Sequence, residues 1–405
     1  MPLASGVNKQ IAFKKETICG ALPGPTGAQL VRRVDSVFNL SKDTYESNEI
    51  RTDYQVADMR HGINRVAGTL NGELSPGSYA PFLGSLLKRD FTTLAASTGL
   101  GITIATAGSA WTITRAAGSW LTAGQKVGQV GRLSLGVFSA ANLNKNLLIL
   151  AVTALALTVI PLNGQALVAE GPIASATWST PGKQTFIPIS GHTDDSYTFE
   201  EWFSDVPRSE VFGGNKVTQA SIQLPPSGLS TISLTFAGQR MSQPPSGTRY
   251  YTSPTAAGTS GLFAAVNGAL MVGGVMQLAI TGLNFEINGN FSGDGVVGSN
   301  FVPQQYPGRV KVSGQFTAYF DDGILPGYFY DESEIAIAAA LTTGSAAASD
   351  FLAFSMSRVK VGGAEKSDSE GGVVRTYPFT ALLNPAGGAG QPHEQTTITL
   401  QDSLA

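Results

Sequence analysis

The residues best able to ligate a transition metal are three histidines, His61, His192 and His393, and one cysteine, Cys19, spread over a 405-residue chain. None stands at a ligating spacing from another. The sequence holds no HExxH, no CxxC and no EF-hand loop, and the acidic pair Asp194-Asp195 beside His192 lacks the glycine and terminal glutamate of a calcium loop. A histidine site would need all three side chains to converge by folding. Nucleophilic chemistry fares no better, because serines abound but none sits in a G-x-S-x-G elbow. The Gly182-Lys183 dipeptide is followed by Gln184, with no glycine at the distance a phosphate-cradling loop requires. The paired carboxylates Glu200-Glu201 and Asp321-Asp322 fall at a strand start and a hairpin turn, where solvated edge charges and turn residues are the ordinary reading. The sequence therefore predicts no catalytic residue, no cofactor site and no metal site, and the chain reads as a non-enzyme.

Composition narrows the class further. Charged residues make up 14% of the chain, against about 25% in an average soluble protein. A surface with so little charge generally has a partner on it. Net charge is −3, and the basic pairs Lys14-Lys15, Arg32-Arg33 and Lys88-Arg89 are too sparse to grip nucleic acid. Lone Cys19 excludes an intrachain disulfide and reads as a buried, inert thiol made in a reducing cytosol. The stretch MPLASGVNKQIAFKKE carries no apolar core of a secretion signal. Residues 147–160, LLILAVTALALTVI, are too short to span a bilayer as a helix, and both alternating faces are apolar, so they read as a buried hairpin turning near Thr153-Ala154.

With 48 glycines and 21 prolines dispersed rather than periodic, the elements that must position all this are many short strands joined by turns. Their grammar is written twice. GINRVAGTLNGEL at 62–74 aligns without a gap to GRVKVSGQFTAYF at 308–320, matching Gly62, Val66, Gly68 and Leu70 to Gly308, Val312, Gly314 and Phe316. Each is followed by a turn and then by a stretch expected to be helical, YAPFLGSLLKR at 79–89 and ESEIAIAAALTT at 332–343. Upstream, segments closing on Glu49-Ile50 and Glu286-Ile287 alternate comparably, and GGNKVTQASIQL at 213–224 echoes GGVVRTYPFTAL at 371–382. These pairs in the same order predict an internal duplication. The copies differ by an insert at 92–184, whose four or five strands predict a small β-barrel or sandwich module containing Trp111 and Trp120. The boundaries follow: a first unit at 1–91 plus 185–240, the insert at 92–184, and a second unit at 241–405. The dense stretch YTFEEWF, with Tyr197, Phe199, Trp202 and Phe203, reads as core or subunit contact.

The N-terminal stretch SGVNKQIAFKKE, then QLVRRVDSVFNLSKDTYESNEI, RTDYQVADMRHGINRVAGTLNGELSPGSY and SYTFEEWFSDVPRSEVFGGNKV, is similar to one branch of the major tail tube proteins of long-tailed, non-contractile bacteriophages. The second copy resembles that family more loosely, through GRVKVSGQFTAYF and GGVVRTYPFTAL. The resemblance implies an all-β fold with short α-helices: duplicated tail-tube β-sandwich or barrel domains plus the small inserted β module. It implies a virion protein, made in the bacterial host cytoplasm, whose subunits close into stacked rings around the tape-measure protein and conduct double-stranded DNA from capsid to host. Doubled members of the family form trimers and single ones hexamers, so a homotrimer is favoured with a hexamer as the alternative. The implied partners are the chain itself, the tape-measure, tail terminator and distal tail proteins, and DNA in non-specific passage; no membrane and no cofactor is implied. Loops 15–30 and 240–262 are expected to bridge rings and to order only on assembly. Arg65, Arg309 and Lys311, if on a bore-lining face, are expected to pair with acids across subunit contacts. A terminator or decoration protein of the virion, and a secreted carbohydrate-binding or adhesive β protein, are the competing readings.

Overall fold

The computed structural model describes residues 3–321, 323–367, 371–385 and 395–405. His393 and Asp322 lie outside the described residues. The chain opens with β1 (Lys9–Lys15), β2 (Gln29–Leu30) and a long hairpin of β3 (Asp35–Glu46) and β4 (Met59–Glu73). A short helix α1 (Ala80–Leu86) follows, with Pro81 in its first turn, where a missing N–H leaves nothing unbonded.

Six strands of the insert come next: β5 (Ser97–Ala107), β6 (Ala110–Arg115), β7 (Val130–Leu135), β8 (Leu147–Val152), β9 (Ala156–Pro161) and β10 (Glu170–Ser179). They close into a barrel in the order β10-β5-β6-β9-β8-β7. The apolar run at 147–160 is the hairpin β8–β9, and its two apolar faces have separate uses. Leu147, Ile149, Leu157 and Val159 fill the barrel around Trp120 and Trp178, whereas Leu148, with Leu150 and Ile160 partly buried beside it, packs against Ala340, Phe351 and Ala353 of the later chain. No helix among the described residues is long and apolar enough to cross a membrane.

The remaining strands are β11 (Lys183–Phe186), β12 (Tyr197–Phe203), β13 (Arg208–Leu224), β14 (Thr231–Gly238), β15 (Arg240–Ser242), β16 (Gly268–Val272), β17 (Val275–Met276), β18 (Ile280–Asn288) and β19 (Lys311–Tyr319). Helix α2 (Ile324–Tyr330) precedes β20 (Glu334–Thr342), β21 (Phe351–Val361), β22 (Glu365–Ser367), β23 (Val374–Ala381) and β24 (Thr399–Asp402). Among the described residues the fold is all-β with two short α-helices.

Pairing order brings out a regularity. The early strands run β1-β12-β13-β14-β4-β3, and the late strands run β16-β20-β21-β23-β19-β18. Helix α1 leans on β13 and α2 on β21. Gly68 sits between Phe38 and Phe236 across neighbouring strands, and Gly314 sits between Phe285 and Phe379 in the same way. A glycine is needed at both places because a Cβ at Gly68 would overlap the Phe38 ring, and one at Gly314 would overlap the Asn284 carbonyl.

Three expectations are corrected. Residues 332–343 are not helical: they form β20, and the second helix lies earlier, at Ile324–Tyr330. Alanine-rich EIAIAAALT has helix propensity, but pairing with β16 and β21 on its two sides buries it as a strand and overrides that preference. Residues 371–382 also do not take the place of 213–224. Their strand β23 pairs with β19 as β14 pairs with β4, so the echo between GGNKVTQASIQL and GGVVRTYPFTAL reflects generic alternation. By the glycine register, Phe285 matches Phe38, so Glu286-Ile287 does not match Glu49-Ile50 either.

The insert docks on the late strands rather than on its flanking ones. Gln401 Nε2 donates to Val130 O and Pro181 O, each at 2.9 Å, while Val130 N donates to Gln401 Oε1 at 2.9 Å. Asn146 Nδ2 donates to Ser349 O and Asn163 Nδ2 to Ala346 O.

Candidate functional site

His61 and His192 are both exposed, and among the described residues no three His, Cys, Asp or Glu side chains gather at ligating distance. Cys19 is half-buried, and burial pushes its thiol up, away from the reactive thiolate. The Glu200-Glu201 pair corrects an expectation. β12 pairs with β1 and β13, so it is not an edge strand, and both carboxylates are buried. Glu200 accepts hydrogen bonds from Ser209 Oγ (2.7 Å), Tyr250 N (2.6 Å) and Tyr251 N (3.1 Å), with Arg249 Nε at 3.5 Å. Glu201 meets Lys9 Nζ at 2.7 Å; burial pushes its carboxyl up, and Lys9 opposes that. Both are structural anchors. In YTFEEWF, Tyr197 and Phe199 are core, and Trp202 and Phe203 are half-buried.

The anchored segment explains two loops. Thr252 N donates to Pro25 O, Thr255 N to Ala28 O, and Leu30 N back to Thr255 O, so residues 15–30 and 240–262 bind one another within one chain.

What the fold does assemble is a broad surface. Strands β3-β4-β14-β13-β18-β19-β23-β22 form eight consecutive neighbours. Strand alternation sends Phe38, Leu70, Leu234, Ile222, Phe285 and Phe316 into the core. The opposite side carries hydroxyls and amides, and a shallow groove on it is lined by Ser221, Gln223, Asn284, Ser313, Gln315 and Thr380. Charges there are few: Asp35, Asp43, Glu73, Glu286 and Glu365 against Arg65 and Lys311, with Arg309 exposed just before β19. Within the single chain, Arg65 Nε lies 3.6 Å from Asp43.

At the centre of this surface β13 meets β18, with Ser221 opposite Glu286 and Gln223 opposite Asn284. Its two ends are open. Among the described residues β3 pairs with β4 alone and β22 with β23 alone. Residues 365–367 are exposed, and Val37 is 49% exposed. Open edges on so wide a sheet invite strand addition unless another chain covers them.

Residues 6–381 match the family model described as phage tail tube protein. The chain belongs to the phage tail tube protein family. No curated protein matches it. As a tail tube protein it is a structural component of the virion tail that assembles with itself and with other tail components. Sequence reading missed the roles of Glu200 and Gln401, whose partners lie 50 and 271 positions away. Nothing local in YTFEEWF separates a buried acid from an edge acid.

Proposed function

We propose that three copies of this tail tube protein close into a ring, that rings stack helically into the tube of a long, non-contractile tail, and that the eight-strand polar face lines the bore. On this reading the chain is two equivalent wall units, residues 1–91 plus 185–240 and residues 241–405, with the 92–184 barrel as an added module. The observation that carries it is the β13–β18 joint. It binds one unit to the next inside the chain and leaves two open edges that fit the same joint.

The register follows from the matched glycines. Gly68 matches Gly314, so Asn39 matches Glu286; Phe236 matches Phe379, so Ser221 matches Glu365 through the partners Ser233 and Thr376. Ser221 faces Glu286 within the chain. Glu365 of one subunit therefore faces Asn39 of the next, and Ser367 faces Val37. This is a heterologous contact, which makes rings when its rotation closes.

Three chains of eight strands give about 24 strands, which at about 4.8 Å spacing and about 40° tilt close a barrel about 48 Å across. A duplex whose grooves are about 8.5 and 7.5 Å deep passes through with water to spare. Hydroxyls and amides, with acids outnumbering the cations Arg65 and Lys311, leave no net positive charge to hold phosphates. The same bore holds the tape-measure protein before DNA enters, and the tube ends meet the terminator and distal tail proteins.

The test is a Cys19→Ser chain carrying Asn39→Cys and Glu365→Cys. Oxidised tubes should yield covalent dimers and trimers and nothing larger. A ladder reaching six would overturn the trimer, and isolated oligomers without tubes by negative-stain microscopy would favour a terminator or decoration role.

A further inference from the structure

We propose that residues 3–5 of one subunit add as a short strand to the next, along the end of β19 and the approach to β23, at Phe320 and Val373. The proposal rests on the ring reading above and names a contact that reading leaves open. Its basis is a second internal match.

In the early unit, the segment entering β16 lies across the ends of β4 and β14. Phe263 N donates to Leu74 O at 3.0 Å, Ser230 N donates to Phe263 O at 2.8 Å, and Leu229 bridges Ala264. Leu74, Ser230 and Phe263 are all buried as a result. Leu74 N also donates to Ser230 O at 2.8 Å, and in the late unit Phe320 N donates to Val373 O at 2.9 Å, at the matching register. There, however, Phe320 is 47% exposed and Val373 37% exposed. Among the described residues the late unit has the ledge but not the strand that covers it.

The covering segment has a counterpart at the start of the chain. GLFAAVNG at 261–268 aligns without a gap to PLASGVNK at 2–9, sharing Leu, Val and Asn. Both contain a single 3-10 turn, Ala265–Asn267 before β16 and Gly6–Asn8 before β1. In each turn the Asn amide donates back three residues, Asn267 N to Ala264 O at 3.0 Å and Asn8 N to Ser5 O at 3.1 Å. Leu3 is 88% exposed in the single chain. The joint that carries β18 to β13 also carries residues 262–264 to Leu74 and Ser230. Repeated between subunits, it carries residues 3–5 to Phe320 and Val373. Sizes compensate: large Phe263 covers Leu74, and small Ala4 would cover larger Phe320, so the two contacts fill comparable volume. Arg375 already holds the Phe320 ring, with its guanidinium 4.3 Å from the centroid.

Ala4 should stand opposite Val373, as Phe263 stands opposite Ser230. Facing antiparallel residues have Cα atoms about 4.5–5.5 Å apart, within disulfide reach. In the full Cys19→Ser chain, Ala4→Cys with Val373→Cys should form intersubunit disulfides on mild oxidation, in a ladder ending at the trimer. A parallel chain carries Asn39→Cys with Glu365→Cys. If that second pair cross-links and tubes form while the Ala4 pair stays reduced, this proposal is overturned and the ring reading stands. If neither pair cross-links and the chain stays monomeric, both fall. Separately, Phe320→Asp replaces the half-exposed ring with a carboxylate that Arg375 can pair with, and should raise the concentration for half-assembly about tenfold, with the monomer's circular dichroism unchanged; assembly at the native concentration would count against the contact.

Discussion

The matched glycines give the sharpest test of how this sheet is built. Gly68→Ala and Gly314→Ala are the same change at the same register, yet they meet different atoms. A Cβ at Gly68 overlaps only the Phe38 ring, itself packed 4.7 Å from Phe199 and 5.5 Å from Phe212. At Gly314 it overlaps the Asn284 carbonyl and comes within 2.8 Å of Phe285 Cα, backbone that cannot rotate away. Overpacking a core costs about 1–3 kcal/mol, and the backbone clash belongs at or above the top of that range. Ala also regains about 0.4–1 kcal/mol by stiffening the unfolded chain. The expected net losses are about 1 kcal/mol for Gly68→Ala and about 3 kcal/mol for Gly314→Ala. Hydrogen exchange reads this directly, because about 3 kcal/mol accelerates opening of the β18–β19 amides by roughly 100-fold. Adding Phe38→Leu should restore much of the Gly68→Ala loss, whereas Phe285→Leu should restore little at Gly314. Equal rescue at both sites, or unchanged exchange in Gly314→Ala, would refute the packing argument.

Gln401→Leu should loosen the barrel by about 2–4 kcal/mol, since it strands the buried Val130 N and O; faster exchange confined to β7 and β8 is the readout. Glu200→Ala leaves two backbone amides without their acceptor and Arg249 with Gln10 alone, so trypsin should cut after Arg249 far sooner than in the native chain, and an unchanged digestion pattern would contradict the anchor. Burial raises the Asp402 carboxyl to about 6 despite hydrogen bonds from Gly77 N and Leu404 N. The folded chain then keeps a proton that the unfolded chain releases near pH 4. Stability falls as pH rises from about 4 to about 6, by roughly 3 kcal/mol for this group, and the loss is complete above that window. Asp402→Asn should flatten that part of the profile in urea titrations. Gln315→Lys with Ser221→Lys adds two cations to the proposed bore; tails should assemble with normal length but eject DNA more slowly and with greater salt dependence, and normal ejection would place the bore elsewhere.

By itself the sequence determined what depends on neighbours along the chain. Alternation in GRVKVSGQFTAYF and GINRVAGTLNGEL assigns one face of each strand to the core and one to water. The twin apolar faces of LLILAVTALALTVI mark a hairpin covered on both sides. The absence of spaced ligands or nucleophiles is equally local. Tertiary structure decided everything that rests on which strands meet. EIAIAAALT became a strand because β16 and β21 claim its two sides, and the helix moved to residues 324–330. Glu200 became an anchor because β12 has neighbours on both edges and the 249–251 backbone turns its amides toward it. The barrel settled on β20 and β21 because Leu148 and Leu150 meet an apolar surface there, made by Ala340, Phe351 and Ala353. The joint of β13 with β18, from which the ring is argued, also appears only when the sheet closes. Side-chain alternation is set by backbone geometry one residue at a time, but cross-strand hydrogen bonds and buried contacts join residues hundreds of positions apart, and their free energy exists only once the chain has folded.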